Sequence, residues 1–234
     1  MAVIQVRNLT KKYRPGQDGE VQALVGVTLN FQASEFVSLY GRSGSGKTTL
    51  VHSVGLLARP TSGQVIIDGV DTATLTDGQR AEFRGRRIGF VFQDRNLLPA
   101  LTVLENVLLP QRYARIDTGA KRRAGELLDL VGMADHQHQR PEQLTPGQAQ
   151  RVAIARALIK APTLVLADEP TGEVDAETSD ELLYLMQQIN RNSGVAFVIA
   201  SHDMEVASCM DRMIRLSSGR VTSDERLQPA QGWQ

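Results

Sequence analysis

The sequence predicts an α/β fold with a mainly parallel sheet covered on both faces, and three observations carry the prediction. Three short runs, Phe36-Val37-Ser38-Leu39-Tyr40, Thr163-Leu164-Val165-Leu166-Ala167 and Val195-Ala196-Phe197-Val198-Ile199-Ala200, are apolar almost throughout. They lack the alternation of a strand with one wet face, so they read as strands buried on both sides. Helical patterns alternate with them, as at 176–192, which ends at Asn192-Ser193-Gly194. The first run also leads directly into Gly41-Arg42-Ser43-Gly44-Ser45-Gly46-Lys47-Thr48, which fits G-x-x-x-x-G-K-[ST] at every fixed position.

That third stretch organises the chain. Thr49-Leu50-Val51-His52-Ser53-Val54 follows it as helical turns, so the motif stands in its required strand–loop–helix frame. Successive backbone N–H groups can curl around phosphate oxygens at the positive end of a helix, where orphan donors point outward. Gly44 and Gly46 permit close backbone approach, Lys47 reaches the β- and γ-phosphates, and the Thr48 hydroxyl would hold Mg²⁺. The expected ligand is a nucleotide.

Composition excludes several other classes. At 234 residues the chain can bury a large core, and its 26 basic and 26 acidic residues cancel, so no global field draws nucleic acid. The single Cys209 cannot form an internal disulfide and fits a reducing compartment. The N-terminus alternates like a strand rather than carrying an apolar leader, and no window approaches the ~18 apolar residues of a spanning helix. The expectation is a soluble, cytoplasmic protein that reaches a membrane only through a partner.

In chain order, residues 2–7 and 21–32 read as strands around a polar loop containing Gly16 and Gly19, with Tyr13 at the end of the first segment. Gln64-Val65-Ile66-Ile67-Asp68 is a further strand. Residues 77–86 read as a charged helix, and Arg87-Ile88-Gly89-Phe90-Val91-Phe92 as a buried strand ending at Gln93. From 93 to 160 the pattern turns helical. Thr102 would cap a helix at 103–109, and Leu127, Leu128, Leu130 and Val131 share one face of another over 119–132. This stretch reads as an inserted helical subdomain. The division expected is a core formed by 1–92 and 161–222, the insert 93–160, and a polar tail 223–234.

A phosphate loop holds a nucleotide; hydrolysis also requires metal, a polarised water and charge stabilisation. Asp168 and Glu169 follow an apolar strand, at the sheet edge where ligands sit in open α/β folds. Two adjacent acids there call for a cation, which Mg²⁺ and Lys47 would supply. His202 ends the next strand and could bond a γ-phosphate or orient water, and Gln93 could bridge Mg²⁺ and water. Each alone is a weak signal; four strand ends converging on one phosphate are not. His136 and His138 lack a companion ligand and read as loop residues. Arg84-Gly85-Arg86-Arg87 and Lys121-Arg122-Arg123 read as solvated helix faces.

With these residues in place, the chain resembles the ATP-binding subunits of ABC transporters over nearly its full length. The resemblance rests on the phosphate loop, Gln93, Leu144-Thr145-Pro146-Gly147-Gln148, the 164–169 strand end, the Asp175 loop and His202, in that order. It implies a P-loop NTPase core with an N-terminal antiparallel β subdomain and an inserted helical subdomain. ATP and Mg²⁺ are the implied ligands. Tyr13 would stack on adenine, and Gly41, Ser43, Gly44, Ser45, Gly46, Lys47, Thr48 and Thr49 would cradle the phosphates. Thr48, Gln93 and Asp168 would serve the metal, Glu169 would be the general base and His202 the switch histidine. A head-to-tail dimer is implied, with Thr145, Gly147 and Gln148 of one subunit facing the ATP of the other. The run 89–107 and Gln150-Arg151-Val152-Ala153-Ile154-Ala155-Arg156-Ala157-Leu158 look like the subgroup serving lipoprotein release, macrolide export and cell-division permeases. The implied partners are an integral membrane permease and a second ATPase subunit, with the chain peripheral on the inner membrane face.

One departure stands out. The family's signature usually reads Leu-Ser-Gly-Gly-Gln, and here Pro146 removes one N–H from the anion-facing helix end. The same residues fit a helix start, with Thr145 as N-cap, Pro146 at the first position and Gln148 at the capping-box place. Weaker closure on ATP is expected. Leu97, Leu98, Leu101 and Leu104 could line a groove for a partner's cytoplasmic helix. A stand-alone ATPase acting on a nucleic-acid or ribosomal complex is the competing function, and a binding-only regulator a third.

Overall fold

The computed structural model describes residues 2–13, 19–113 and 118–227. In chain order the elements are strands β1 (Ala2–Tyr13), β2 (Val21–Gln32) and β3 (Phe36–Tyr40), helix α1 (Lys47–Val54), strands β4 (Ser62–Ile67) and β5 (Val70–Asp71), and helix α2 (Asp77–Arg87). Strand β6 (Ile88–Phe92) precedes helices α3 (Val103–Leu108), α4 (Thr118–Leu130) and α5 (Pro146–Leu158). Then come strand β7 (Leu164–Asp168), helix α6 (Ala176–Ser193), strand β8 (Ala196–Ser201), helix α7 (Met204–Ser208), and strands β9 (Arg212–Ser217) and β10 (Arg220–Arg226).

The apolar runs become the centre of one sheet, ordered β10-β9-β3-β8-β7-β6. All its pairings are parallel except β9 with β10. Successive residues of these strands enter two different cores. Phe36, Phe197, Ile199, Val165 and Ala167 pack under the helices of one face. Val37, Leu39, Val198, Ala200, Leu164 and Leu166 pack into the other. That division explains why the runs show no polar alternation: neither face is wet. Each large side chain so buried contributes about 1.5–3 kcal/mol.

The second face is covered by α1 and by a four-stranded antiparallel sheet, ordered β2-β1-β4-β5. Leu50, Val51 and Val54 of α1 share their core with Ile4, Leu24 and Phe31 of that sheet. Between β6 and β7, α3, α4 and α5 pack on one another through Val103, Val107, Leu128, Val152 and Ile154. Thr102 caps α3 in a reciprocal box with Glu105. The fully buried Asn106 accepts from the Leu98 amide at 2.8 Å and donates to the carbonyls of Leu98, Leu101 and Thr102 at 3.0–3.2 Å, so it fixes the segment entering α3.

The structure corrects the sequence reading in three places. The expected polar tail starts later, because Ser223–Arg226 belong to β10; residues 228–234 lie outside the described residues. This hairpin was missed because buried Arg212 interrupts the apolar pattern of β9. Its guanidinium bonds Asp224 twice at 2.7 Å and Glu35 at 3.0 Å, which raises its pKa above the ordinary value, the Asp224 bonds contributing most. Nor are all the basic runs solvated. Arg84 donates to the Leu56 carbonyl at 3.0 Å, and Arg123 to the carbonyls of Ile159 and Leu158 at 2.8 and 3.2 Å, closing the end of α5.

Candidate functional site

The carboxyl ends of β3, β6, β7 and β8 surround a cavity of about 640 Å³. Tyr13, Ser43, Gly44, Ser45, Gly46, Lys47, Thr48, Thr49, Gln93, Glu169 and His202 line it. Gly41 and Asp168 stand just behind, each bonded to a lining residue. Every expected residue of the single-chain half of the site is therefore in one place.

The loop's shape follows from its glycines. Gly46 has φ +108°, and a Cβ there would meet the Ala23 carbonyl oxygen at 2.7 Å; Gly44 has φ +77° and faces open space. Both let the chain double back at the start of α1. No side chain caps that helix and no acid occupies its first turn, so its N–H donors face the cavity and favour an anion. The Ser45 hydroxyl is buried without a partner. An oxygen-rich ligand would satisfy these donors together.

Lys47 is only 6 % exposed; its ammonium donates to the Gly41 carbonyl at 2.7 Å and lies 3.3 Å from Glu169 Oε1. The Thr48 hydroxyl donates to Asp168 Oδ1 at 3.3 Å. Burial pushes the Asp168 carboxyl above its ordinary pKa, while the Thr48 bond and the nearby His52 and Lys47 pull it down. A cation at this point would complete the compensation. Hydroxyl, carboxylate and the Gln93 amide are hard oxygen donors that suit Mg²⁺ sharing its shell with phosphate. Among the described residues no group of three or more His, Cys, Asp or Glu side chains is placed to hold a metal ion.

Glu169 turns sharply off β7 in the left-handed region, φ +49°, with its amide bonded to the Ala200 carbonyl at 2.9 Å. Such a conformation costs a non-glycine residue about 1 kcal/mol or more and returns the carboxylate toward the phosphate loop. His202 Nδ1 lies 3.0 Å from Glu169 Oε2. Gln93 rests beside Gly172, where a Cβ would come within 3.4 Å of its amide nitrogen. Tyr13 is 41 % exposed, with the Lys11 ammonium 4.9 Å from its ring centroid, so a planar group can stack on the ring.

Thr145, Gly147 and Gln148 do not line this cavity. They start α5: the Thr145 hydroxyl accepts from the Gln148 amide at 3.2 Å and Gln148 Oε1 accepts from the Thr145 amide at 2.9 Å. With Pro146 lacking an N–H and the Gln148 amide occupied, Gly147 supplies the one uncommitted N–H of these three positions. Gly147 is itself tight: a Cβ would meet Thr178 Cγ2 at 2.5 Å. Thr178 in turn donates its amide and hydroxyl to Asp175, the N-cap of α6, at 2.9 and 2.8 Å. His136 bonds Gln139 at 2.9 Å, a local loop contact.

Sequence reasoning missed Ser218 and Gly219, which also line the cavity. They form the β9–β10 turn, with φ +47° and +73°. Ser-Gly between two strands is a turn signal, but nothing local announces where the turn docks. The Gly219 amide donates to the Ser45 carbonyl at 2.9 Å, and the Val25 amide to the Gly219 carbonyl at 2.9 Å. The turn thus backs the phosphate loop.

A family model described as ABC transporter matches residues 24–172. The chain is 46 % identical over 224 residues to a macrolide export ATP-binding/permease protein of Syntrophobacter fumaroxidans, covering 94 % of this chain and 31 % of that protein. It thus spans about a third of the length of the macrolide-export relatives it matches. It is 45 % identical to the lipoprotein-releasing system ATP-binding protein of Geobacter metallireducens, covering 95 % of this chain and 99 % of that one. A solved ATP-binding cassette, a dimer in a post-hydrolysis state bound to ADP and Pi, superposes with a TM-score of 0.88 at 40 % identity, covering 97 % of this chain and all of that one.

Proposed function

This chain belongs to the ABC transporter family, and on that premise we propose that it binds and hydrolyses ATP to drive a membrane permease, working as a dimer. The observation that carries the proposal is the convergence of Lys47, Thr48, Asp168, Glu169 and His202 on one cavity. The likeness to macrolide-export and lipoprotein-release proteins favours a membrane partner over a stand-alone ATPase on nucleic acid or ribosomes.

Adenine stacks on Tyr13 and the phosphates enter the donor-lined end of α1. Lys47, now spent on Gly41 and Glu169, transfers to the β- and γ-phosphates, which frees the Glu169 carboxylate. Mg²⁺, held through Thr48 and Gln93 with Asp168 behind, would neutralise phosphate charge. Glu169 then accepts a proton from the attacking water, and His202 steers Glu169 and the γ-phosphate. The second half of the site comes from another subunit, whose Thr145, Gly147 and Gln148 are the counterparts of residues that do not line this chain's own cavity. No helix among the described residues is long and apolar enough to cross a membrane, so a permease subunit would tie the ATPase to the cytoplasmic face.

The sequence set the permease groove near residues 93–110, with Leu97, Leu98, Leu101 and Leu104 either lining it or belonging to the core; Leu98 is 45 % exposed. Leu97 and Leu104 pack partly buried against the helical core. A cavity of about 500 Å³ between β6, α5 and the segment after α3 reaches that range through Asn96, Leu109 and Pro110 and is also lined by Phe90, Phe92 and Ile159. Its apolar floor and its rim of Arg84 and Arg156 suit an amphipathic helix. Phosphate release from Mg²⁺-ATP by the purified chain tests the function. Turnover lost in Glu169→Gln with ATP binding retained supports it; absent ATP binding, or turnover that survives Glu169→Gln, overturns it.

A further inference from the structure

Just past Gln93 the backbone is held in an unusual state. Arg95 and Asn96 are consecutive non-glycine residues in the left-handed region, φ +58° and +51°. Two arginines maintain them. Arg156, partly buried on α5, donates to the Arg95 carbonyl at 2.5 Å and the Asn96 carbonyl at 2.6 Å. The Arg95 side chain turns the other way and places Nη2 2.8 Å from Glu173 Oε2. Arg95 is 19 % exposed and its Nε is buried without an acceptor, so Glu173 is the charge that compensates it.

Glu173 sits in the loop between Glu169 and Asp175. That loop touches the site on every side. Gly172 lies against Gln93, its amide bonds the Glu169 carbonyl at 3.2 Å, and Asp175 reaches Gly147 through Thr178. At the other end, Asn96 and Arg156 line the 500 Å³ groove.

We propose that Arg95 and Glu173 are a positioning pair that locks the Gln93 segment to the 170–175 loop, so that whatever fills the groove moves both together. The inference rests on the ATPase reading of the site. Neither residue touches the cavity that would hold ATP, so neither is catalytic. Arg95 is mostly buried and Glu173 partly exposed, so the pair's net contribution to stability is modest. Its effect is geometric: Gln93 and Asp175 answer to one contact rather than two. Filling the groove displaces Asn96, Arg156 follows through two short bonds, and Glu173 follows Arg95.

The test is a double-mutant cycle on the full chain. Arg95→Met and Glu173→Gln should each lower kcat for Mg²⁺-ATP by about 3–10-fold, as coupled neighbours do, with KM within twofold. The double variant should lose no more than the worse single one, and the exchanged pair, Arg95→Glu with Glu173→Arg, should recover most of the loss. Unchanged kcat in both singles, or additive losses, overturns the pairing while leaving the ATPase reading intact. A wild type without turnover overturns that reading instead. Amide hydrogen exchange then still decides the pair: Glu173→Gln must speed exchange in both 93–96 and 170–175, and acceleration confined to 170–175 refutes the lock.

Discussion

Glu169 Oε2 receives two contacts from one residue: His202 Nδ1 at 3.0 Å and the His202 amide at 3.4 Å. The end of β8 therefore fixes the orientation of a carboxylate delivered by β7. His202→Ala should lower kcat by about 10²-fold, the low end for a proton-transfer arrangement, while ATP affinity changes little. Steady-state kinetics with an ATP titration reads both quantities. A matching loss of affinity would assign His202 to nucleotide binding instead.

Lys47→Ala removes a buried ammonium from the loop. A charge-assisted bond contributes about 1.5–3 kcal/mol, so ATP affinity should fall roughly 10–150-fold by titration calorimetry. Thr48→Val should leave nucleotide binding in EDTA nearly unchanged and abolish the gain that Mg²⁺ confers. A gain that persists would remove Thr48 from the metal's shell.

Pro146 leaves Gly147 as the uncommitted donor at the start of α5. In a Glu169→Gln background, which traps ATP, Pro146→Gly should strengthen ATP-dependent dimerisation several-fold by analytical ultracentrifugation. It should also lower melting temperature slightly, because a fixed φ at the first helical position is lost. Unchanged dimerisation would show that the missing N–H is not felt across the interface.

Asp175 is pulled below its ordinary pKa by the Thr178 amide and hydroxyl. A depressed folded-state value means its contribution is complete above the unfolded pKa and lost as pH falls through the folded one. Asp175→Asn keeps the cap without titrating. Urea melts from neutrality to below pH 4 should show a shallower acid loss of stability in the variant. An identical slope would place the acid sensitivity elsewhere.

Leu109→Glu puts a charge into the apolar groove. It should abolish association with the permease encoded or purified alongside the chain while sparing ATP binding. Retained association would move the docking surface off this groove.

How much of this was legible depended on whether a signal was local. β3, β7 and β8 were readable because nearly every residue is buried on one face or the other, with Ser38 the one polar residue inside β3. Thr102 and Thr145 declared helix starts three residues ahead of their partners. The phosphate-loop motif carried its own frame. By contrast β9 opens on Arg212, which is tolerated in the interior because Asp224 reaches it from the neighbouring strand β10 and Glu35 from a distant segment. Ser218 and Gly219 looked like any turn. Arg95 carried no local signal, because its partner Glu173 lies beyond the whole helical insert.

The strand that delivers the phosphate loop, β3, is flanked by β8 and β9, and the loop itself is backed by Gly219. All three supports lie beyond residue 195, far along the sequence from the loop. On a ribosome, the loop's own residues emerge early and wait, without neighbours on either side, for nearly everything else. A nascent chain halted before β9 would carry the complete motif and β8, yet lack the β9 flank of β3 and the Gly219 backing of the loop. The phosphate-loop motif is therefore local in sequence, while the scaffold that holds its shape is not.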